Sequence, residues 1–61
     1  MLVTRTSLMS GVTNTLEIDV DIEQIKAWQA GLLIQDAMPN LTPDEREFIK
    51  TGITAEEWDT L

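Results

Sequence analysis

The side chains able to do chemistry in this chain are nearly all carboxylates. Eleven Asp and Glu stand against four Lys and Arg, with no histidine and no cysteine among 61 residues. Without His or Cys the usual nucleophile–base pairs cannot be assembled, and the Ser and Thr hydroxyls have no evident base to activate them. A structural zinc ion would find almost no ligands. Paired carboxylates can do general acid–base work, but a chain of this length hardly encloses a substrate-sized pocket. One acidic run, Asp19-Val20-Asp21-Ile22-Glu23, alternates like the opening of a calcium loop. It lacks the glycine at the sixth position and the distal glutamate of that motif, so it reads as a strand end followed by a helix cap. The expectation is a non-enzymatic protein with no metal and no cofactor.

The acids of the second half are Asp36, Asp44, Glu45, Glu47, Glu56, Glu57 and Asp59, interrupted by Arg46 and Lys50. Asp44, Glu45, Glu56 and Glu57 fall at predicted helix starts, where the positive end of the helix dipole favours them. Glu47 and Asp59 are the least explained by capping. A formal charge of −7 repels nucleic acid phosphates and anionic lipid. Direct nucleic acid binding, which would have only Arg5, Lys26, Arg46 and Lys50 to use, is therefore disfavoured. The acidity suits plain solubility or a surface that engages a basic partner. A narrower case is mimicry of a phosphate backbone, which neutralising Glu47, Glu56 and Asp59 would abolish. The aromatic residues are Trp28, Phe48 and Trp58. All three fall on predicted buried faces, and Trp58, near the chain end and half covered, doubles as a candidate binding anchor.

The elements that must position these groups are short and strongly punctuated. Residues 1–20 read as a β-hairpin. Leu16, Ile18 and Val20 point one way while Thr15, Glu17 and Asp19 point the other, the period of a half-buried strand. Ser10 and Gly11 supply the turn. A two-residue Gly11-Val12 loop would set Val3 opposite Val20, and a one-residue slip would bring Leu2, Thr4 and Thr6 to the inner face instead; the pattern leaves that register open.

Residues 21–30 read as a helix capped by Asp21, with Gln24 returning the hydrogen bond and Val20 stapled to Ile25. Its predicted buried stripe is Ile22, Ile25, Trp28 and Leu32, and Gly31 ends it. A second helix is expected over 32–38, stopped by Pro39, with Leu33, Ile34 and Ala37 inward and Gln35 and Asp36 exposed. A third covers 43–51, with Thr42 and Glu45 forming a capping box, Pro43 at the first helical position, Phe48 and Ile49 in the core and Gly52 as the stop. A fourth covers 55–60, with a Thr54–Glu57 box and an Ile53–Trp58 staple. Three helix starts thus repeat one local signal, which favours a single defined fold.

Size and composition bound the rest. At 43% hydrophobic the chain is too apolar to be disordered, yet a domain this small buries only about 60% of its unfolded surface. The opening MLVTRTSLMSG holds no long apolar run, which argues against a signal peptide. The longest apolar-rich run, 27–34, is far short of the ~20 residues a membrane span needs. A soluble, cytoplasmic protein is expected.

Three stretches carry a likeness: TNTLEIDV at 13–20, GxLIQDAMPNL at 31–41 and DEREFIKTGITxEEWD at 44–59. Together they resemble a family of very small, functionally uncharacterised proteins encoded by bacteriophages and mobile bacterial elements. The likeness covers residues 13–59 and is most distinctive over 35–58. It implies such an origin, the host cell cytoplasm as location and a soluble single domain. It carries over no functional residue. Pro39, Thr42, Glu45, Gly52, Thr54 and Trp58 within it are accounted for by helix stops, caps and core.

The expected fold is α+β: an N-terminal β-hairpin (1–20) packed against three or four short helices (21–61), in one domain spanning 1–61. The expected function is that of a small acidic phage-type accessory protein that binds and modulates a host or viral protein, for example as an inhibitor. Its candidate interaction surface is Gln35, Asp36, Arg46, Glu47 and Trp58. The alternative is a self-associating architectural component that dimerises through the hairpin edge. A nucleic acid mimic and a small nucleic-acid-binding regulator rank below it.

Overall fold

The N-terminal hairpin is held by its turn. In a computed structural model that describes residues 1–60, β1 (Leu2–Thr6) pairs antiparallel with β2 (Thr13–Glu17), and Val3 lies opposite Leu16. The connection is therefore residues 7–12, not a two-residue loop, and the pairing is shifted from the Val3–Val20 register by four residues. Ser7 explains the longer turn. Its Oγ accepts the amides of Met9 and Ser10, each at 3.2 Å, its amide donates to the Val12 carbonyl at 2.9 Å, and its carbonyl accepts the Gly11 amide at 3.0 Å. A shift of four preserves the alternation, so Val3 and Arg5 are half-buried while Leu2, Thr4 and Thr6 are exposed; Leu16, opposite Val3 and expected inward, remains 39% exposed. Cross-strand hydroxyls pair on the outer face, Thr4 with Thr15 at 2.7 Å and Thr6 with Thr13 at 2.9 Å.

Strand pairing does not run to residue 20. The Val20 amide donates to the Ile18 carbonyl at 2.8 Å, a three-residue turn around Asp19. Ile18 and Val20 still enter the core. Asn40 clamps this turn, donating to the Asp19 carbonyl at 2.6 Å and accepting from the Gln24 amide group at 2.7 Å.

Helix α1 (Ile22–Gln29) starts as its sequence dictates: Asp21 Oδ1 accepts the Gln24 amide at 2.9 Å and Gln24 Oε1 accepts the Asp21 amide at 3.1 Å. It ends in a full Schellman turn, with the Leu32 amide on the Ala27 carbonyl at 3.1 Å and the Gly31 amide on that of Trp28 at 3.0 Å. Its stripe is narrower than expected. Ile25, Ala27 and Trp28 pack on the core, whereas Ile22 is 54% exposed. Helix α2 (Ile34–Ala37) is one turn rather than 32–38. Met38, forced out of helical geometry before Pro39 (φ −130°, ψ 59°), is fully buried.

Helix α3 (Pro43–Thr51) matches expectation at both ends: Thr42 and Glu45 close the box, and Gly52 takes φ +76°. Helix α4 (Ala55–Asp59) starts at Thr54, whose hydroxyl accepts the Glu57 amide at 3.3 Å. The expected reciprocal bond is replaced. The Glu57 carboxylate accepts the Ser7 hydroxyl at 2.9 Å, so a predicted local cap becomes a tie between α4 and the hairpin turn.

The core is Ile18 and Val20 from the hairpin end, Ala37 and Met38 from the α2 turn, Leu41, and Phe48 and Ile49 of α3. Helix α3 packs against β1, and α1 against α2. The result is a single small α+β domain in which the hairpin and helices α1, α2 and α3 share one core, with α4 tied on at its edge through Ser7 and Glu57. Residue 61, the last of the expected 1–61 span, lies outside the described residues.

Candidate interaction surface

The α1–α2 corner is built by local rules and then left open. Gly31 has φ +114°, and no atom lies within 4 Å of where a Cβ would stand. Glycine is there for backbone conformation alone. The turn it permits puts Leu32 and Leu33 at the joint between the helices. Leu33 occupies the N-cap of α2 without a side-chain hydrogen bond and is 62% exposed; Leu32 is 47% exposed. A leucine at an N-cap leaves the first amides uncapped, where Ser, Thr, Asp or Asn would bond them. Neither leucine helps the helix start, and neither reaches the core. Both were expected on buried faces, and a one-turn helix cannot rotate them inward.

These leucines border a groove of about 390 Å³. Trp28 of α1, half-buried, forms one wall, Ile34 and Gln35 of α2 another, and Lys50 of α3 closes it. A second, smaller groove of about 210 Å³ lies between α3 and α4, with Leu16 and Phe48 beneath and Asp44, Glu45 and Glu56 at its edges. Glu45 is already engaged in the Thr42 capping box, and the other two acids stand at helix starts, which their dipoles favour.

The cations are sorted. Arg46 and Lys50 are four residues apart on α3 and so share a face. Arg5 donates through Nη2 to the Lys50 carbonyl at 3.4 Å. Among the described residues no Lys or Arg has a carboxylate within 4.0 Å; the ion pair that does form is between the Met1 ammonium and Glu17, at 2.9 Å. Of these cations, Lys50 is the one that borders the larger groove.

The five residues singled out from the sequence do not converge. Gln35 lines the larger groove, and Asp36 is exposed beside it on α2. Arg46 and Glu47 are half-buried on α3, and the Glu47 carbonyl accepts the Thr51 hydroxyl at 2.9 Å. Trp58 is 42% exposed on α4 and borders neither groove. The groove residues that sequence reasoning assigned elsewhere are Trp28, Leu32, Leu33 and Lys50. A signal for them existed: two leucines directly after a helix-stopping glycine and before a helix too short to cover them.

Asp21, central to the calcium-loop alternation, is a helix cap. Among the described residues no group of three or more carboxylates is placed to hold a metal ion, and no helix is long and apolar enough to cross a membrane. No protein-family model matches the chain, and comparison with curated proteins and with solved structures finds no match either.

Proposed function

We propose that this chain is a non-enzymatic accessory protein of the phage type that binds and modulates a host or viral protein, and that it docks through the α1–α2 corner. The observation that carries this is the exposure of Leu32 and Leu33 around a groove walled by Trp28. Large apolar side chains beside a half-buried tryptophan are the composition of a docking hot spot. The resemblance of residues 13–59 to small phage-encoded proteins supports the accessory role. The test is affinity capture from the native host with the wild-type chain and with Leu33→Glu. A stoichiometric protein retained by the first and lost by the second is expected. Equal retention by both, or no partner at all, overturns the reading.

One observation favours self-association as the second reading. The sheet has two strands only, so each strand keeps an unpaired edge. Light scattering across a concentration series separates the two: a dimer whose formation survives Leu33→Glu and is lost on introducing proline in β2 supports the edge, and a monomer throughout removes it.

A further inference from the structure

We propose that the groove between α3 and α4 is a further docking surface, and that its occupant is a basic segment of a partner protein. An apolar side chain of that segment sits on Leu16, and its Lys or Arg groups meet Asp44, Glu45 and Glu56. This surface is separate from the α1–α2 corner and does not depend on it.

The case begins with what the hairpin leaves uncovered. Strand alternation predicts Leu16 inward, yet it stays exposed. Helix α3 packs on β1, and no helix packs comparably on β2. The inner face of the sheet is therefore covered on its β1 side and bare at Leu16. The groove of about 210 Å³ lies there, with Leu16 and the buried Phe48 as its floor. A concave apolar floor with a few charged groups around it is the composition of a binding site.

The rim says what fits. Three acids border this groove, and no Lys or Arg does. The two cations of α3 are turned elsewhere: Lys50 borders the other groove and Arg46 borders neither. Helix starts explain why Asp44, Glu45 and Glu56 occur where they do. They do not explain an apolar floor left open between them. Glu45 gives Oε1 to the Thr42 amide, which leaves its charge in place. Among the described residues none of the three has a Lys or Arg within 4.0 Å. Nor, among those residues, does any group of three acids converge closely enough to hold a metal ion. Charges spread along a rim are matched by several cations on one segment, not by a single ion.

The net charge of −7 works in the same direction. It draws a basic segment in and speeds the encounter. It repels a second copy of this chain, which brings the same charge.

The test uses the full chain, labelled with nitrogen-15, and two short synthetic peptides. Both carry Leu and Val at alternate positions; one has Lys and Arg between them and the other Glu. The basic peptide is expected to shift the Leu16, Phe48 and Glu56 amide resonances and to leave Gly31 and Leu33 unmoved, with affinity falling as salt rises. That mapping on the wild-type chain locates the site without any variant. Asp44→Asn and Glu56→Gln should each weaken binding by about two- to fivefold, the scale of an exposed ion pair. Leu16→Thr suits a strand and should weaken it by about fivefold or more, the weight of an apolar anchor, with the salt dependence unchanged. Leu33→Glu should leave it as it is. The proposal is overturned if the Glu peptide shifts the same resonances as strongly, or if the basic peptide moves Gly31 and Leu33 instead. It is equally overturned if spermine, which has charge and no apolar side chains, displaces the basic peptide at equal charge concentration, or if Leu16→Thr binds as well as the wild type. A basic peptide that fails to bind, beside a partner still lost on Leu33→Glu, removes this surface and leaves the α1–α2 corner standing.

Discussion

The two ends of this small molecule use their residues in opposite ways. Around the hairpin turn, α3 and α4, several polar groups are bound to partners distant in sequence. Ser7 reaches Glu57, the Leu8 amide reaches the Thr51 carbonyl at 3.0 Å, and Arg5 reaches Lys50. Gly52 is pressed against the backbone of Thr6 and Ser7. At the α1–α2 corner the bonds are local, a capping box at one end of α1 and a Schellman turn at the other. Beyond the Schellman turn Leu32 and Leu33 face outward. The first region stabilises the fold through contacts that close long loops. The second is ordered by short-range rules and keeps apolar surface free. Departures from local consistency that bring no stability are where function is sought, and Leu33 at an N-cap is such a departure.

The largest expected effect lies in the first region. Gly52 has φ +76°, and a Cβ there would fall against the Thr6 carbonyl, 2.6 Å from its carbon and 2.9 Å from the Ser7 amide nitrogen. Gly52→Ala therefore combines the left-handed penalty of about 1–2 kcal/mol with displacement of β1 from α3. A domain of this size rarely has more than about 3–5 kcal/mol to lose, so the variant should be largely unfolded at room temperature. Gly31→Ala shares the backbone strain, about 1–3 kcal/mol, but meets open space and should melt lower while staying folded. Chemical denaturation of the two proteins measures the contrast, and equal midpoints would remove the claimed difference between the regions.

Ser7 comes next. It is buried and serves as donor to Glu57 and as acceptor for two loop amides. Ser7→Ala leaves those partners without it, at about 1–3 kcal/mol. Glu57→Gln keeps an acceptor and should lose less, since only the charge-assisted part of the bond disappears. A double-mutant cycle between Ser7→Ala and Glu57→Ala isolates the pair, with a coupling of about 0.5–3 kcal/mol expected for groups in direct contact. A coupling near zero would mean that α4 is not held by the hairpin turn.

The same division decides what could be read from sequence. The bonds of Asp21 with Gln24 and of Thr42 with Glu45 span three residues, so residue type and spacing specify them almost completely. The Gly31 and Gly52 stops are local in the same sense. The hairpin register was open because Ser7 sets it, by folding a longer turn onto itself and then onto Glu57, 50 residues away. Glu57 could be recognised as a capping residue, but its choice of Ser7 over the Thr54 amide depends on where the hairpin lies. Met38 and Leu41 enter the core from a turn because Pro39 redirects the chain there, which no periodicity announces. The apolar character of Leu32 and Leu33 predicts them inward, although apolar residues on protein surfaces are common. Among the candidate surface residues, Gln35 is legible from sequence as exposed on α2, and it lines the groove in the fold. The groove itself is formed by α1, α2 and α3 together, and only the tertiary fold shows it.

Caps give smaller effects and mark where the second region has its own stability. Asp21→Ala should cost about 1 kcal/mol, and amide exchange should accelerate in α1 before it does in α3. Thr42→Ala should cost a similar amount and loosen α3, which packs on β1, so its effect should spread to the hairpin amides. Exchange that rises uniformly in both variants would show one cooperative unit instead of two differently tied regions.

The smallest stability change is expected where the largest functional one is. Leu33→Gln removes a side chain that is 62% exposed and makes no cap, so its melting should stay within about 0.5 kcal/mol of the wild type, as for other surface substitutions. Glutamine also shortens the exposed apolar surface beside Trp28 without adding charge, which keeps the electrostatics of Lys50 and Arg46 as they are. Binding at the corner should nonetheless fall by about tenfold or more, the weight of a central apolar contact. The two measurements together discriminate where either alone would not. A Leu33→Gln variant that lost substantial stability would show that the leucine is packed into the fold after all. One that kept both its stability and its binding would leave the exposed corner as solvated surface. Unchanged melting with weakened binding is the combination that a docking site requires, and it assigns the local disorder of the pattern at residues 31–33 to recognition.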